Sequence, residues 1–387
     1  MRLPLTYNIR SLGLRWADSL LMVGAIALVV GVFVSMMALA EGLESTLVAT
    51  GESLNLVVLR QASRSETQSA IQAEAYRTIA ELPGIARGLD GQPLATAEVV
   101  VVVNMEKKSR GGLSNVVVRG VTPQSFTLRP QVRLVDGSLP RGGLPDLVAS
   151  RRIAERVLGT GVGGRVRLGG TDWTVVGLME AGGTASDSEI WADRATLADE
   201  FKRRDYSVIL ARAASLPQRD ILVGRIALDP RLKLKAMPER SFYEQQTGAA
   251  EPIRWIANFV SVVMGLGAGV CGMNIMFGFI LSRAREIGIV RALGFGSGSI
   301  VLSFMLESAI LGLAGGLAGS MLALPVHGLS VGIMNYRSFS EVEFAFRVTW
   351  GLVGRGVLLA LALSALGSAV PAMVAARMPI ADALRAQ

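Results

Sequence analysis

Four long runs of apolar residues interrupt an otherwise mixed pattern of hydrophobic and polar positions. They extend over about Leu20–Ala40, Ile253–Leu281, Ile300–Pro325 and Leu352–Ala376. A helix of roughly 20 apolar residues crosses a hydrocarbon core of about 30 Å. The pattern therefore predicts four transmembrane helices, with a large region inserted between the first and the second.

Charge at the ends of these runs predicts their orientation. The arginines that flank them are Arg2, Arg10, Arg15, Arg283, Arg285, Arg291, Arg377 and Arg385. If the spans alternate, all of these lie on one side, and arginine in short flanking segments marks the cytoplasmic side. The third-to-fourth connection balances Arg337 and Arg347 against Glu341 and Glu343, as an outside loop can. We therefore expect a membrane protein with both termini in the cytoplasm and the large inserted region outside.

The end of the first run resembles a signal-peptidase site at Ala38-Leu39-Ala40. However, the apolar core before it extends over about 20 residues, and signal-peptide cores extend over about 7–15. Leu39, Leu43 and Leu47 also continue a helical stripe past this point. We therefore expect a retained span whose helix projects from the bilayer as a stalk, with Ser241–Thr247 as the matching stalk before the second span.

The inserted region alternates short strand and helix patterns. Strands are predicted at Ala97–Asn104, Asn115–Arg119, Asp146–Ala149, Arg165–Leu168, Trp173–Leu178, Tyr206–Ala211 and Lys233–Ala236. Helices are predicted at Glu66–Leu82, Arg151–Leu158 with Ser150 as N-cap, Asp193–Arg203 and Pro217–Ala227. The fold class is thus an α-helical membrane protein with four transmembrane helices and a large α+β extracytoplasmic domain between helices 1 and 2. The expected divisions are 1–50, 51–240 and 241–387, and two subdomains divided near Pro130–Pro145 are an open alternative.

Composition agrees with a membrane protein. Apolar residues make up 51% of the chain and charged residues 18%, with a mean hydropathy of +0.44; soluble domains carry about 25% charge. The net charge of +8 does not predict nucleic-acid binding, because the arginines near the spans have a topological explanation. The densest basic run, Lys107–Arg110, precedes Gly111-Gly112 and indicates a solvated hairpin tip.

The sequence contains no catalytic constellation. No lysine follows a glycine, which excludes a P-loop for ATP within these residues. His327 is the one histidine and Cys271 the one cysteine, so neither a zinc site nor an intrachain disulfide is predicted. Glu307 lies inside the third run, where a carboxylate is costly. It indicates a functional role, or else a side chain that hydrogen-bonds to neighbouring helices or extends to the inner membrane face.

Small residues recur on the middle spans. The pairs with G-x-x-x-G spacing are Gly265/Gly269, Gly312/Gly316 and Gly315/Gly319. Such faces allow helix backbones to approach closely in lipid. Packing inside one bundle and pairing with a second subunit are equally compatible with this pattern.

A charged segment, Arg283–Gly294, connects the second and third spans, where a soluble partner can bind it. It resembles the R-x-R-E-I-G-x-x-R-A-x-G signature of the MacB/FtsX/LolC superfamily of type VII ABC permeases. Phe304–Ser308 followed by Gly312–Gly319 is similar to the family's third-span pattern, and Val370–Arg385 is similar to its closing motif. Asp136–Gly177 resembles the core of its outside domain more weakly.

The resemblance implies a permease subunit without enzymatic activity of its own. It assigns ATPase coupling to Arg283, Arg285, Glu286, Ile287, Gly288, Arg291, Ala292, Leu293 and Gly294. It assigns the transmembrane interface to Glu307, Gly312, Gly315, Gly316 and Gly319, and we add Gly265 and Gly269 to this interface from their spacing. The expected partners are a separate cytosolic ABC ATPase that holds ATP and magnesium, a second identical or paralogous permease, a periplasmic membrane-fusion adaptor and membrane lipid. This chain itself is expected to hold no cofactor and no metal.

Three functions are compatible with these patterns. The leading interpretation is ATP-driven movement of the outside domain, called mechanotransmission, for export or extraction of a lipid, lipoprotein, peptide or antibiotic. The alternative is FtsX-like signalling that controls a cell-wall hydrolase without transport, although the outside domain is large for that subgroup. A membrane-anchored sensor or enzyme is disfavoured by the lack of a catalytic constellation.

Overall fold

A computed structural model describes residues 16–108, 112–335 and 340–379 of the chain. Arg2, Arg10, Arg15, Arg337 and Arg385 lie outside these ranges, as do the end of the basic run, from Ser109, and the end of the closing motif. The described residues form two compact units. The helical unit comprises 16–41, 250–329 and 346–379, and the sheet unit comprises 42–249 and 330–345.

Four long helices confirm the four predicted spans. The helices of this part of the chain are α1 Trp16–Thr50, α8 Ala250–Ser282, α9 Ala284–Ala292, α10 Ser297–Ala323 and α11 Trp350–Arg377. All except α9 are long and apolar enough to cross a membrane. The helix of the first span continues to Thr50, as the leucine stripe predicts, and its turns from Gly42 onward belong to the sheet unit.

Within the helical unit, glycines let α10 approach two neighbours. Gly316 faces α11, where an added Cβ would lie 2.9 Å from the Cβ of Ala360. Gly319 faces α1, where an added Cβ would lie 2.7 Å from the Cβ of Val30. Both distances are too short for side-chain contact, so each position requires glycine. The two overlapping glycine pairs thus serve two different contacts inside one chain.

The sheet unit contains the α+β domain. Its strands are β1 Asn55–Arg60, β2 Ala95–Glu106, β3 Leu113–Val121, β4 Arg133–Gly137, β5 Asp146–Ser150, β6 Arg165–Leu168, β7 Thr171–Glu180, β8 Glu189–Asp193, β9 Val208–Arg212, β10 Leu234–Pro238, β11 Ser330–Asn335 and β12 Ser340–Ala345. Its helices are α2 Ala73–Ala80, α3 Pro123–Leu128, α4 Arg151–Arg156, α5 Arg194–Glu200, α6 Leu216–Leu228 and α7 Glu239–Gln246.

One ten-stranded sheet extends through this unit in the order β10-β1-β9-β2-β3-β8-β5-β7-β4, with β6 paired to β7. The pairs β3–β8 and β5–β7 are parallel and the others are antiparallel. One continuous sheet joins strands from both sides of Pro130–Pro145, and the division into two subdomains there stays a prediction. The buried apolar residues of this unit include two separate clusters, one around Ile209 and the other around Ile190.

Several local predictions are confirmed. Ser150 Oγ accepts a hydrogen bond from the Ile153 N–H and caps α4. Gly169-Gly170 forms the two-residue turn between β6 and β7, with Gly169 at φ +61°. The helix predicted at 193–203 is α5, with Asp193 as its cap.

The prediction of one helix over Glu66–Leu82 is wrong. Only a 3₁₀ turn forms at Glu66–Gln68, and α2 does not begin until Ala73. Between them Ile71 exchanges two backbone hydrogen bonds with Tyr206, of 2.8 and 2.9 Å. This long-range pairing satisfies the backbone groups that a continuous helix would have used.

A buried ionic cluster, formed by Glu66, Glu98, Arg119, Arg129 and Glu189, ties the central strands together. The Arg119 guanidinium contacts Glu66 at 2.8 Å, Glu98 at 2.9 Å and Glu189 at 2.7 Å. Arg129 donates two further hydrogen bonds to Glu98. Burial raises the pKa of Glu98, but the charges of Arg129 and Arg119 outweigh burial and lower this pKa to about 2.

Glu239 lies beside this cluster and joins the two helices that enter and leave the domain. Its Oε2 accepts hydrogen bonds from the Glu52 backbone N–H, just after α1, and from Asn55 Nδ2. Its Oε1 is buried and has no hydrogen-bond partner within the described ranges. Burial raises the pKa of Glu239 to about 7, although Arg129 opposes this, so the carboxyl is largely protonated below neutral pH.

We expect Glu239→Gln to change the pH dependence of stability. The native carboxyl keeps its proton up to about pH 7, and the unfolded one loses it at about pH 4.5. Wild-type stability therefore falls as pH rises through this window, and the neutral glutamine removes that loss. Relative to wild type, the variant should gain roughly 2–3 kcal/mol between about pH 4.5 and 8. Thermal melting of the full chain in detergent at both pH values checks this.

Glu244→Gln is the matched control, because Glu244 is an exposed carboxylate on the same helix. It should leave the wild-type pH profile unchanged. Identical profiles for Glu239→Gln and wild type would contradict the assignment of the titrating group.

Candidate coupling site

The segment between the second and third spans folds as a short, separate helix. Arg283, at φ −117°, breaks the path of α8, and α9 begins at Ala284. Gly294 ends it with φ +94°, a conformation that glycine adopts at helix C-termini without steric cost. The same region provides Gly296 as N-cap of α10. The motif thus encodes a nine-residue helix between two sharp breaks.

The predicted coupling residues lie on two faces of α9. Ala284, Ile287 and Gly288 are buried against the helical unit. The exposed residues are Arg285, Glu286, Ile289, Ala292 and Leu293. Ile289 is 48% exposed and Leu293 is 71% exposed, so large apolar side chains point away from the bundle beside charged ones.

An ion pair fixes the beginning of α9 to α10. Arg283 Nη1 lies 2.9 Å from Glu307 Oε1, and the two side chains are only 11% and 2% exposed. Arg283 Nε also contacts Glu286 Oε2 at 3.2 Å. Removing one partner of a buried pair leaves an uncompensated charge, which costs about 3–5 kcal/mol. Glu307 therefore has a specific ion-pair partner at the start of α9, and a functional role for this carboxylate stays a prediction.

A second contact fixes the other end of α9. The Arg291 guanidinium donates to the backbone carbonyl of Met378, which caps the C-terminus of α11. Since a helix C-terminus carries partial negative charge, a cation is favourable there. Helix α9 is therefore attached to α10 at its N-terminal end and to the end of α11 at its C-terminal end.

The structure brings Arg283, Glu286 and Glu307 together, whereas Arg285 makes no ion pair or hydrogen bond to the described part of the chain. Sequence reasoning did not identify Met378, because a backbone carbonyl leaves no signature in the sequence. It also missed Ser368 of α11, whose hydroxyl lies 2.8 Å from that of Ser308, one residue after Glu307. A small polar residue within an apolar span was the available signal.

The residues assigned to the transmembrane interface differ in what they contact. Gly312 and Gly316 face α11, and Gly315 faces Ile26 of α1. Gly265 faces Leu363 of α11, whereas an added Cβ at Gly269 would meet no atom within 4 Å among the residues described. The α10 glycines are thus used for contacts inside the bundle, and a role in pairing with a second subunit stays a prediction.

Comparison with known proteins gives two family matches that together span most of the chain. Residues 19–224 match the model of the MacB-like periplasmic core domain. Residues 258–380 match that of the FtsX-like permease C-terminal region. The second match contains α9 and its attachments.

Individual relatives carry related names. The uncharacterized ABC transporter permease YknZ of Bacillus subtilis is 34% identical over 126 residues, which are 33% of this chain and 29% of YknZ. The pyoverdine export ATP-binding/permease protein PvdT of Pseudomonas entomophila is 24% identical over 342 residues, 81% of this chain and 50% of PvdT. The macrolide export protein MacB of Pasteurella multocida is 45% identical over 71 residues, 18% of this chain and 10% of MacB. The chain thus spans at most half of these relatives.

Two solved structures are similar to part of the chain. The extracellular domain of YknZ covers 47% of this chain and 99% of its own length, with a TM-score of 0.36 and 17% identity. The periplasmic region of MacB from Actinobacillus actinomycetemcomitans covers 52% and 96%, with a TM-score of 0.39 and 10% identity.

The periplasmic core match alone covers residues 19–224, more than half of the 387 residues, and the permease match follows it in the order that the four spans require. The chain therefore belongs to the MacB-like and FtsX-like family of ABC transporter permeases.

Proposed function

We propose that this permease couples ATP hydrolysis by a separate cytosolic ABC ATPase to movement of its extracytoplasmic domain, and thereby exports or extracts an amphipathic substrate. The observation that carries this proposal is the double attachment of α9 to α10 and α11 through Arg283–Glu307 and Arg291–Met378. A force-transmitting element must be stiff and firmly attached, and α9 meets both conditions.

The outer face of α9 supplies the docking surface for the ATPase. Ile289 and Leu293 expose apolar area, and Arg285 and Glu286 add charge of both signs. Exposed apolar groups rimmed by polar ones are typical of protein–protein contacts. ATP and magnesium bind to the ATPase, and this chain supplies the surface to which the ATPase binds and through which it transmits force.

The names of the relatives and the membrane setting support the proposed class of substrate. Relatives are named for export of a macrolide and of pyoverdine, which favours export over control of a cell-wall hydrolase. A second permease subunit, identical or paralogous, a periplasmic adaptor and surrounding lipid complete the proposed assembly in the bacterial inner membrane.

Orientation is the first test of this function. In a Cys271→Ser background, Arg285→Cys should react with a membrane-impermeant maleimide only after the cells are opened, because α9 faces the cytoplasm. Leu216→Cys, at an exposed position of the sheet unit, is the control and should react in intact cells or spheroplasts. Labelling of Arg285→Cys in intact spheroplasts would reverse the topology and refute the proposal.

The docking face is tested by Ile289→Asp with Leu293→Asp. Burying a Leu or Ile side chain is worth about 1.5–3 kcal/mol, so the double variant should bind the co-purifying ABC ATPase at least roughly tenfold more weakly. Binding is measured with purified components in nanodiscs. Glu286→Lys on the same face should likewise reduce permease-dependent stimulation of ATP hydrolysis.

Leu216→Asp is the control for the docking face, because it places the same charge at an exposed leucine of the sheet unit. It should leave ATPase affinity unchanged. Wild-type affinity in the Ile289→Asp, Leu293→Asp variant would exclude this face as the docking surface.

The attachment of α9 is tested separately by Glu307→Gln, which keeps the shape of the side chain and removes its charge. Loss of the pair with Arg283 should lower the melting temperature, since breaking a buried pair costs about 3–5 kcal/mol. ATPase binding should persist, because the outer face of α9 is unchanged, while stimulation by the permease is lost. A Glu307→Gln complex that retains both stability and stimulation would contradict the role assigned to this pair.

A further inference from the structure

The connection between α10 and α11 forms a β-hairpin that is part of the sheet unit. Strands β11 and β12 pair antiparallel from Ser330↔Ala345 to Asn335↔Ser340. An isolated two-stranded hairpin is marginally stable in water. Its position must therefore be set by what it contacts.

An ionic latch, formed by Glu341 and Glu343 of β12 with Lys107 and Arg156, holds the hairpin. Glu341 contacts Lys107 Nζ at 3.0 Å and Arg156 Nη2 at 2.9 Å. Glu343 contacts Arg156 Nη1 at 2.7 Å. One guanidinium thus bridges both carboxylates, a geometry that the planar fork of arginine favours.

Hydrogen bonds that involve serine hydroxyl groups reinforce the latch. Ser114 Oγ donates to Glu341 Oε2 at 2.6 Å, and the Glu343 backbone N–H donates to Ser188 Oγ at 2.8 Å. The carboxylates of Glu341 and Glu343 are only 15% and 8% exposed. Burial raises the pKa of Glu341, but hydrogen bonds from Ser114 and Lys107 and the charge of Arg156 outweigh it and lower this pKa, so the carboxylate stays ionised.

The hairpin also packs tightly against the last turns of α1. Phe344 is fully buried. An added Cβ at Gly42 would collide with the backbone carbonyl of Ala345 and lie 3.3 Å from the Phe344 ring. A glycine in α1 therefore permits β12 to lie directly on the helix, and the hairpin is fixed at both its charged edge and its apolar side.

The two ends of the hairpin connect the sheet unit directly to α10 and α11. The chain passes between the two units at residues 41–42 and 249–250, and again at 329–330 and 345–346. The first two passages are the stalks that sequence reasoning anticipated. The last two are the ends of the hairpin, which continue into α10 and α11, the helices to which α9 is attached.

We propose that the hairpin is a third mechanical arm, through which movement of α10 and α11 reaches the extracytoplasmic domain by way of the Glu341–Glu343 latch to Lys107 and Arg156. This proposal rests on the proposed function, since it concerns the route by which force travels. It adds that the stalks at α1 and α7 are insufficient on their own, and it assigns positioning roles to four charged residues, of which Lys107, Glu341 and Glu343 lie outside the family motifs identified in the sequence.

The test compares the wild-type complex with Glu341→Gln, Glu343→Gln in nanodiscs together with the co-purifying ATPase. Hydrogen–deuterium exchange is measured over 330–345 and over the ten-stranded sheet, with and without trapping of the ATPase by ATP and vanadate. The variant should exchange at least tenfold faster in β12 before trapping, which reports release of the latch. Trapping should alter exchange in the wild-type sheet and alter it at most half as much in the variant, while ATPase binding is unchanged.

Asp146→Asn is the matched control. It breaks the 2.7 Å pair of Arg141 with Asp146, which lies in the same domain away from the hairpin. It should preserve the trapping response. If the double variant does not accumulate, Lys107→Met removes one contact only and should give a smaller change in the same direction.

The outcomes separate the two proposals. No response to trapping in the wild-type sheet would refute the proposed function itself. A full response in a variant whose hairpin exchanges freely would refute the third arm and leave the proposed function intact. Unchanged exchange in β12 of the variant would show that the latch does not hold the hairpin, and would also refute the arm.

Discussion

The buried ion pair between Arg283 and Glu307 is the interaction on which the proposed mechanism depends. It places a charge of each sign where desolvation is costly, so the pair persists only because each partner compensates the other. Its geometry connects the first residue before α9 to the third turn of α10. A coupling helix held only by its two covalent connections would pivot about Arg283 and Gly294. With this pair and the Arg291 contact to Met378, displacement of α9 becomes displacement of α10 and α11.

Ion-pair clusters also connect separate strands and helices within the sheet unit. Arg119 holds three carboxylates from different elements, and Arg156 bridges two on the hairpin. Apolar side chains can shift slightly and stay in contact, whereas a guanidinium that hydrogen-bonds to several carboxylates fixes the distances and directions between the elements that carry them. The proposed movement of the domain as one body would use this rigidity, because a force applied at an edge strand would be shared by the central strands rather than absorbed locally.

Much of the fold was accessible from the sequence, and the exceptions share a physical cause. The spans, the Ser150 cap and the Gly169-Gly170 turn are encoded locally, in hydropathy, capping and positive φ. The helix predicted over Glu66–Leu82 failed because Ile71 pairs with Tyr206, far along the chain. Strand β1 and the β11–β12 hairpin were missed because neighbours in the sheet, rather than their own alternation, make them strands. The candidate site divides in the same way: its motif was visible, but its attachment to a backbone carbonyl was not.

Helical periodicity explains how one short motif could serve both attachment to the bundle and the proposed docking of an ATPase. Ala284, Ile287, Gly288 and Arg291 recur at spacings of three and four residues and therefore lie on the face toward the bundle. The residues between them, from Arg285 to Leu293, fall on the opposite face. Small side chains on the face toward the bundle allow close approach of the helices. Arg283 and Arg291 fix the two ends of the helix. The larger apolar and charged side chains on the opposite face form a contact surface. Substitutions can therefore test the attachment of α9 and the docking of the ATPase separately, because the α-helix places the two sets of residues on opposite faces.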